Sequence, residues 1–203
     1  MTADAQVETV EFETDDGVRL SGDLATVAAP RGAAIVCHPH PQYGGNRTNN
    51  VVEALFTALP AMGVTTLRFD FRPDFGHGEA ELLDAAAAVD RVVVAAPGTP
   101  VIAAGYSFGA MIALGLDHPD VRHRILVAAP LGRMELRMGP SVPTIVLQPA
   151  HDQFAPPQTI EPIVSAWSST TFETIPNADH MILGRAGWAA DRAMAWLAEQ
   201  LDP

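Results

Sequence analysis

Hydrophobic and polar positions change rhythm along the chain. Residues 7–13 alternate apolar and polar, Asp15-Asp16-Gly17 turns, and residues 18–24 alternate again. That pattern predicts an antiparallel β-hairpin with one face in water. From Ala33 onward the apolar positions gather into short, mostly apolar runs, at residues 33–37, 65–69, 100–104, 125–128 and 144–147. Such runs suit strands buried on both faces of a parallel sheet. Residues 171–175 are more mixed and predict an edge strand. Helix-length segments lie between the runs, at residues 49–62, 79–96, 108–117, 157–167 and 188–201. In the second, Leu82, Leu83, Ala86, Val89 and Val93 recur at three- and four-residue steps, the spacing of a helix laid on a sheet. Strands alternating with helices read as βαβ units, hence an α/β fold with a doubly wound, mostly parallel sheet. No repeat, low-complexity tract or linker interrupts the pattern, so residues 1–203 read as one domain.

Composition narrows the function. Hydrophobic residues make up 48% and charged residues 18%, enough apolar material for a folded core. All 12 basic residues are arginines, so the chemistry of a lysine Schiff base, a pyridoxal phosphate aldimine or a P-loop phosphate anchor has no donor. The formal charge of −12 opposes nucleic acid and anionic membranes as partners. Cys37 is the single cysteine, which excludes an internal disulfide and a cysteine-cluster zinc site. The first 16 residues are polar and acidic and lack the plan of a secretory signal, and no apolar stretch has membrane-spanning length. A soluble cytoplasmic protein, monomer or homodimer, is the expectation.

Gly105-Tyr106-Ser107-Phe108-Gly109 follows one buried run and opens a helix segment. A G-x-S-x-G string in a strand–turn–helix setting is the pattern of a nucleophile elbow: a sharp turn exposes the serine at the carboxyl end of the sheet, with free N–H groups behind it. A serine hydroxyl needs a base to take its proton. Of seven histidines, His180 follows the last strand and so falls on the same side as Ser107. His118 and His123 flank a turn and read as surface residues, and His151 reads as an exposed loop residue and competing base. Asp152 follows the run 144–147 and fits as the acid that orients His180, whereas Asp179 is adjacent to the ring it would have to reach. The order Ser107, Asp152, His180 is the one this architecture expects.

Acyl transfer also needs oxyanion donors. One is expected from the Phe108 N–H, directly after the nucleophile. The second is expected from the loop Cys37-His38-Pro39-His40-Pro41-Gln42-Tyr43-Gly44-Gly45-Asn46. Proline has no N–H, so within Pro39-His40-Pro41 only His40 can donate, with Gln42 or Tyr43 as fallback. His38 and His40 form an H-x-H pair without further ligands spaced nearby, which favours loop bracing by their rings over metal. Cys37 ends a buried run and reads as an inert core thiol. The charges of Arg68-Phe69-Asp70-Phe71-Arg72 read as braces or ordinary ion pairs, and Phe75 and His77 as members of a glycine-permitted loop that could line the pocket, with nothing in the sequence fixing them there.

These residues resemble the α/β-hydrolase superfamily, in particular its small lidless branch of dienelactone-hydrolase-like and serine-peptidase-like hydrolases. The stretch from His38 through Asn46, followed by Asn49-Asn50-Val51-Val52, is the most specific marker, and the Arg68–Arg72 and Gly105–Gly109 segments are similar to its next signatures. The resemblance runs from the hairpin to the last helix. It implies an α/β-hydrolase fold without a large lid, a triad of Ser107, Asp152 and His180, and no cofactor. The chain departs from the branch in two places: Pro73-Asp74-Phe75-Gly76-His77-Gly78 replaces a longer Gly-x-Gly-x-Ser segment, and the elbow carries serine where dienelactone hydrolases proper carry cysteine.

Residues 129–142 are too few for a large lid, with Leu131, Met134, Leu136 and Met138 as their apolar members. An open cleft for small or soluble acyl substrates follows, with Tyr43, Phe108, Met111, Phe154 and Met181 as candidate walls. The expected function is a serine hydrolase of small carboxylic esters working through an acyl-enzyme. Competing readings are a peptidase, amidase or acyltransferase on the same residues, a binding protein that keeps the fold without turnover, and a metal-dependent hydrolase built on His38, His40 and Asp70.

Overall fold

A computed structural model describes residues 5–132 and 142–201. The strands are β1 (Gln6–Glu13), β2 (Arg19–Thr26), β3 (Gly32–Cys37), β4 (Val64–Phe69), β5 (Val101–Tyr106), β6 (Val121–Val127), β7 (Thr144–Pro149) and β8 (Thr170–Ile175). The helices are α1 (Asn50–Ala61), α2 (Glu79–Ala95), α3 (Phe108–Gly115), α4 (Pro157–Val164) and α5 (Ala186–Leu201). The strands form one eight-stranded sheet in the order β1-β2-β4-β3-β5-β6-β7-β8. β1 pairs antiparallel with β2, and β2 antiparallel with β4, while the remaining neighbours are parallel. The predicted hairpin and the predicted edge strand occupy the two ends of that sheet.

Period-two alternation sorts the central strands between two cores. Ala33, Ile35 and Cys37 of β3 join the apolar cluster under α2, α3 and α4, and Ala34 and Val36 join the cluster under α1 and α5. Both faces of β3 and β5 are fully buried, which is why their sequences are apolar without interruption. The direction of winding reverses between β3 and β5, and the crevice at such a reversal is where open α/β sheets place their sites.

α3 is fixed at both ends. Its carboxyl end is held by the buried Arg124 of β6, whose guanidinium donates to the carbonyls of Ala113 and Leu116 at 3.0 Å each. A cation there also opposes the negative end of the helix dipole. β6 begins at Val121, four residues before the apolar run that marks it in the sequence. That extension corrects the surface reading of His123: it sits within the strand, half-buried, 6.3 Å from the Trp196 ring of α5, and burial lowers its pKa. His118 is also partly covered, with Nε2 3.2 Å from Asp90 and Nδ1 accepting the Asp120 N–H.

Residues 128–143 connect β6 to β7, and no lid domain is inserted there. Leu131 is buried in the core, while Met134, Leu136 and Met138 lie outside the described residues. Among the described residues, no helix is long and apolar enough to cross a membrane.

Candidate active site

The turn from β5 into α3 holds Ser107 at φ 54° and ψ −116°, a left-handed conformation that costs a non-glycine residue about 1–3 kcal/mol. Its neighbours explain how the turn closes. A Cβ on Gly105 would stand 2.2 Å from the Gly109 carbonyl oxygen, and one on Gly109 would stand 2.2 Å from that of Cys37. Glycine at both positions lets the helix start against β3 and β5 with no side chain between.

His180 lies in the loop between β8 and α5, and Asp152 in the loop after β7. The imidazole Nδ1–H donates to Asp152 Oδ2 at 2.7 Å, which leaves Nε2 to accept the Ser107 hydroxyl at 2.9 Å. Asp152 is held from every side. Its Oδ1 accepts the N–H groups of Phe154 (2.8 Å) and Ala155 (3.0 Å), and its Oδ2 also accepts Gln148 Nε2 at 3.0 Å. A carboxyl group so fully donated to is fixed in rotation.

Three residues outside the sequence reading position these groups. Gln148 is completely buried and joins Asp152 to the Ala155 carbonyl (2.8 Å). Gln153 Oε1 accepts the His180 N–H at 3.3 Å. The Tyr106 hydroxyl donates to the His180 carbonyl at 2.7 Å, and burial first, then the nearby Asp152 and Asp179 charges, raise that phenol's pKa. Gln148 had a visible signal: it is a polar residue prolonging an apolar strand run. The other two had none. Asp179 is exposed and accepts the Met181 N–H (3.0 Å) as a turn cap, and His151 is exposed.

The loop after β3 reaches the same place. The N–H groups of Tyr43 and Gly45 donate to the His40 carbonyl, that of Gly44 to the Pro41 carbonyl, and that of Gln42 to His40 Nδ1. Among the described residues, the N–H groups of His40 and Phe108 have no acceptor. His38 is buried; its Nε2 accepts the Phe71 N–H at 3.0 Å, so Nδ1 carries the proton and donates to the Pro39 carbonyl at 2.6 Å. Nε2 thereby ties the β3 loop to the β4 loop and Nδ1 braces the β3 loop itself, so both ring nitrogens are committed to hydrogen bonds. Asp70 accepts the Arg47 N–H at 2.8 Å and pairs with its guanidinium at 3.2 Å, a second brace on that loop. Arg72 links Asp84 of α2 to Asp16 in the hairpin turn. Cys37 is fully buried, and burial raises its thiol pKa.

A cleft of about 690 Å³ opens over Ser107 and His180. The packed rings of His40, Tyr43, Phe75 and Phe108 line one wall, and Phe154, beside His180, and Met181 also line the cleft. Met111 does not belong to it. α3 is buried on all sides, and Met111 points into the core with 5% of its surface exposed, so the expectation that it forms a substrate wall is corrected. His77 is exposed, its ring tilted against Phe75 at 4.9 Å outside the lining.

Residues 35–202 match the model of the alpha/beta hydrolase family. An uncharacterized protein of Rickettsia prowazekii is 30% identical over 192 residues, covering 84% of this chain and 80% of that protein. A protein of unknown function from Agrobacterium tumefaciens is similar in structure with a TM-score of 0.86 and 28% identity, over 96% of this chain and 97% of its own. A Xanthomonas campestris protein described as an α/β serine hydrolase without lid gives a TM-score of 0.88 and 25% identity, over 98% and 96%.

Proposed function

The chain belongs to the alpha/beta hydrolase family, and from that premise we propose that it is a serine hydrolase cleaving small carboxylic esters through an acyl-enzyme. The observation that carries the reading is the continuous hydrogen-bonded line from Ser107 Oγ through His180 to Asp152 at the floor of the cleft. Ser107 Oγ attacks the ester carbonyl carbon while its proton passes to His180 Nε2. Asp152 orients the ring and stabilises its protonated form. The carbonyl oxygen, now anionic, takes the N–H groups of Phe108 and His40. Collapse breaks the bond to the alcohol, which leaves with the proton from His180. Water then repeats the attack on the acyl-enzyme, gives a proton to His180, and releases the acid as Ser107 regains its hydrogen.

Esters are favoured over peptides because the described lining carries no formal charge to hold a peptide terminus. The test is intact-mass spectrometry after exposure to a fluorophosphonate, beside hydrolysis of a short-chain p-nitrophenyl ester. A single adduct, lost together with turnover in Ser107→Ala, is the expected result. A folded wild-type protein that forms no adduct overturns the mechanism and leaves the reading of a fold kept for binding.

A further inference from the structure

Large apolar side chains stand in water around the cleft: Tyr43 is 88% exposed, Met181 51% and Phe154 44%, and all three line it. Clustered exposure of this kind marks a surface that something covers. The wall beside Ser107 is made of rings. The His40 imidazole lies 4.4 Å from Phe75, 4.8 Å from Tyr43 and 4.9 Å from Phe108, at tilts between 41° and 51°. Phe75 in turn meets Phe108 edge-on at 5.7 Å. Such offset and edge geometries are those that aromatic groups prefer with one another.

The wall is built in advance. Phe75 sits in the short loop between β4 and α2, and the buried Glu81 carboxylate accepts both the Gly76 and Gly78 N–H groups at 2.8 Å. A ring held this way loses little freedom when a ligand packs on it. The His40 ring is neutral: its Nδ1 accepts the Gln42 N–H, and burial lowers its pKa. No described lining residue bears a formal charge, and the chain as a whole carries −12. An anionic group in the cleft gains no counter-charge from these residues and meets a repelling field.

We propose that the wall of His40, Tyr43, Phe75 and Phe108 is a subsite for a flat, uncharged aromatic group of the ester, carried on its acyl or its alcohol side. The subsite rests on the ester-hydrolase reading above for its placement beside Ser107. The experiment compares matched esters. Methyl phenylacetate against methyl cyclohexylacetate tests the acyl side, and benzyl acetate against cyclohexylmethyl acetate tests the alcohol side. Methyl 4-carboxyphenylacetate tests charge.

On one of the two sides the flat ring is expected to exceed its saturated partner in kcat/KM by about tenfold. The carboxylated ester is expected to fall below methyl phenylacetate by at least about tenfold. Phe75→Ala brings the ring-to-saturated ratio toward one, and Phe75→Leu does the same while keeping apolar volume in the loop. Calorimetric titration of the same esters into Ser107→Ala reads the preference without turnover. Ratios near one on both sides, or the carboxylated ester as the best of the set, overturn the subsite. Ring preference in binding with no fluorophosphonate adduct on the wild type supports the subsite and overturns the acyl-enzyme. An adduct without ring preference does the reverse.

Discussion

Ser107 pairs the proposed nucleophile with an unfavourable backbone, and the two can be separated by substitution. Glycine accepts φ 54° freely, so Ser107→Gly removes strain of about 1–3 kcal/mol and adds a chain-entropy cost of about 0.5–1. The expected outcome is a net gain near 1 kcal/mol, seen as a melting temperature about 3 °C higher, with fluorophosphonate labelling abolished. Ser107→Ala keeps the strain and gains no such increment. His40 allows a similar separation of backbone from side chain. Its φ of −53° is one that proline adopts, so His40→Pro removes the N–H without requiring the turn to change. His40→Ala removes the ring and keeps the N–H. If that N–H stabilises the oxyanion, kcat of the proline variant lies about 100-fold below that of the alanine variant, measured with an uncharged ester. Equal kcat values would assign the second donor elsewhere.

At the scale of elements, the approach of α3 to β3 is the least forgiving contact. Gly109→Ala would press its Cβ onto the Cys37 carbonyl, a backbone atom that cannot turn aside. A loss of about 3 kcal/mol or more is expected in urea unfolding, and a shift of only a few tenths would show that the helix can back away. Why some elements were legible in the sequence follows from the same packing. β3, β5 and β7 are buried on both faces and read as unbroken apolar runs, and the glycines flanking Ser107 signalled the elbow directly. Asp152 was legible because it follows a strand of that kind, and His180 because it follows the last, more mixed strand on the same side of the sheet. α3 was legible as a helix but not in its facing: apolar all round, it offers no polar side to say that Met111 points inward. The start of β6 was hidden because Arg122, His123 and Arg124 interrupt the apolar run, and Arg124 is buried only because it meets the carbonyls that end α3. The sequence does not fix Phe75, because its placement depends on Glu81, a bond between a loop and the helix after it that no periodicity encodes.

For the whole molecule, His38 links stability to acidity. Burial holds its pKa below the usual 6.5, opposed in smaller measure by its hydrogen bond to the Pro39 carbonyl. Above 6.5 the ring is neutral in both folded and unfolded chains and contributes no slope. Below it the unfolded chain takes up a proton that the native ring refuses, so stability falls as pH falls. Urea midpoints at pH 7.5 and 5.5 are therefore expected to drop further for the wild type than for His38→Gln, and the difference between the two chains isolates the ring. An equal drop would remove His38 from the acid response. The strand order has a consequence of another kind. β1 to β4 form one half of the sheet and β5 to β8 the other, and the halves meet along the β3–β5 pairing, where Ala33 to Cys37 lie beside Val101 to Gly105. Ser107, Asp152 and His180 all belong to the second half, and the His40 N–H and the Phe75 ring belong to the first. A slip along that one seam would leave the three side chains joined and still carry the first half's N–H and ring away from them. The fold thus keeps the three proposed catalytic side chains in one half and His40, Tyr43 and Phe75 of the aromatic wall in the other, so that this part of the substrate preference can drift under selection separate from the triad.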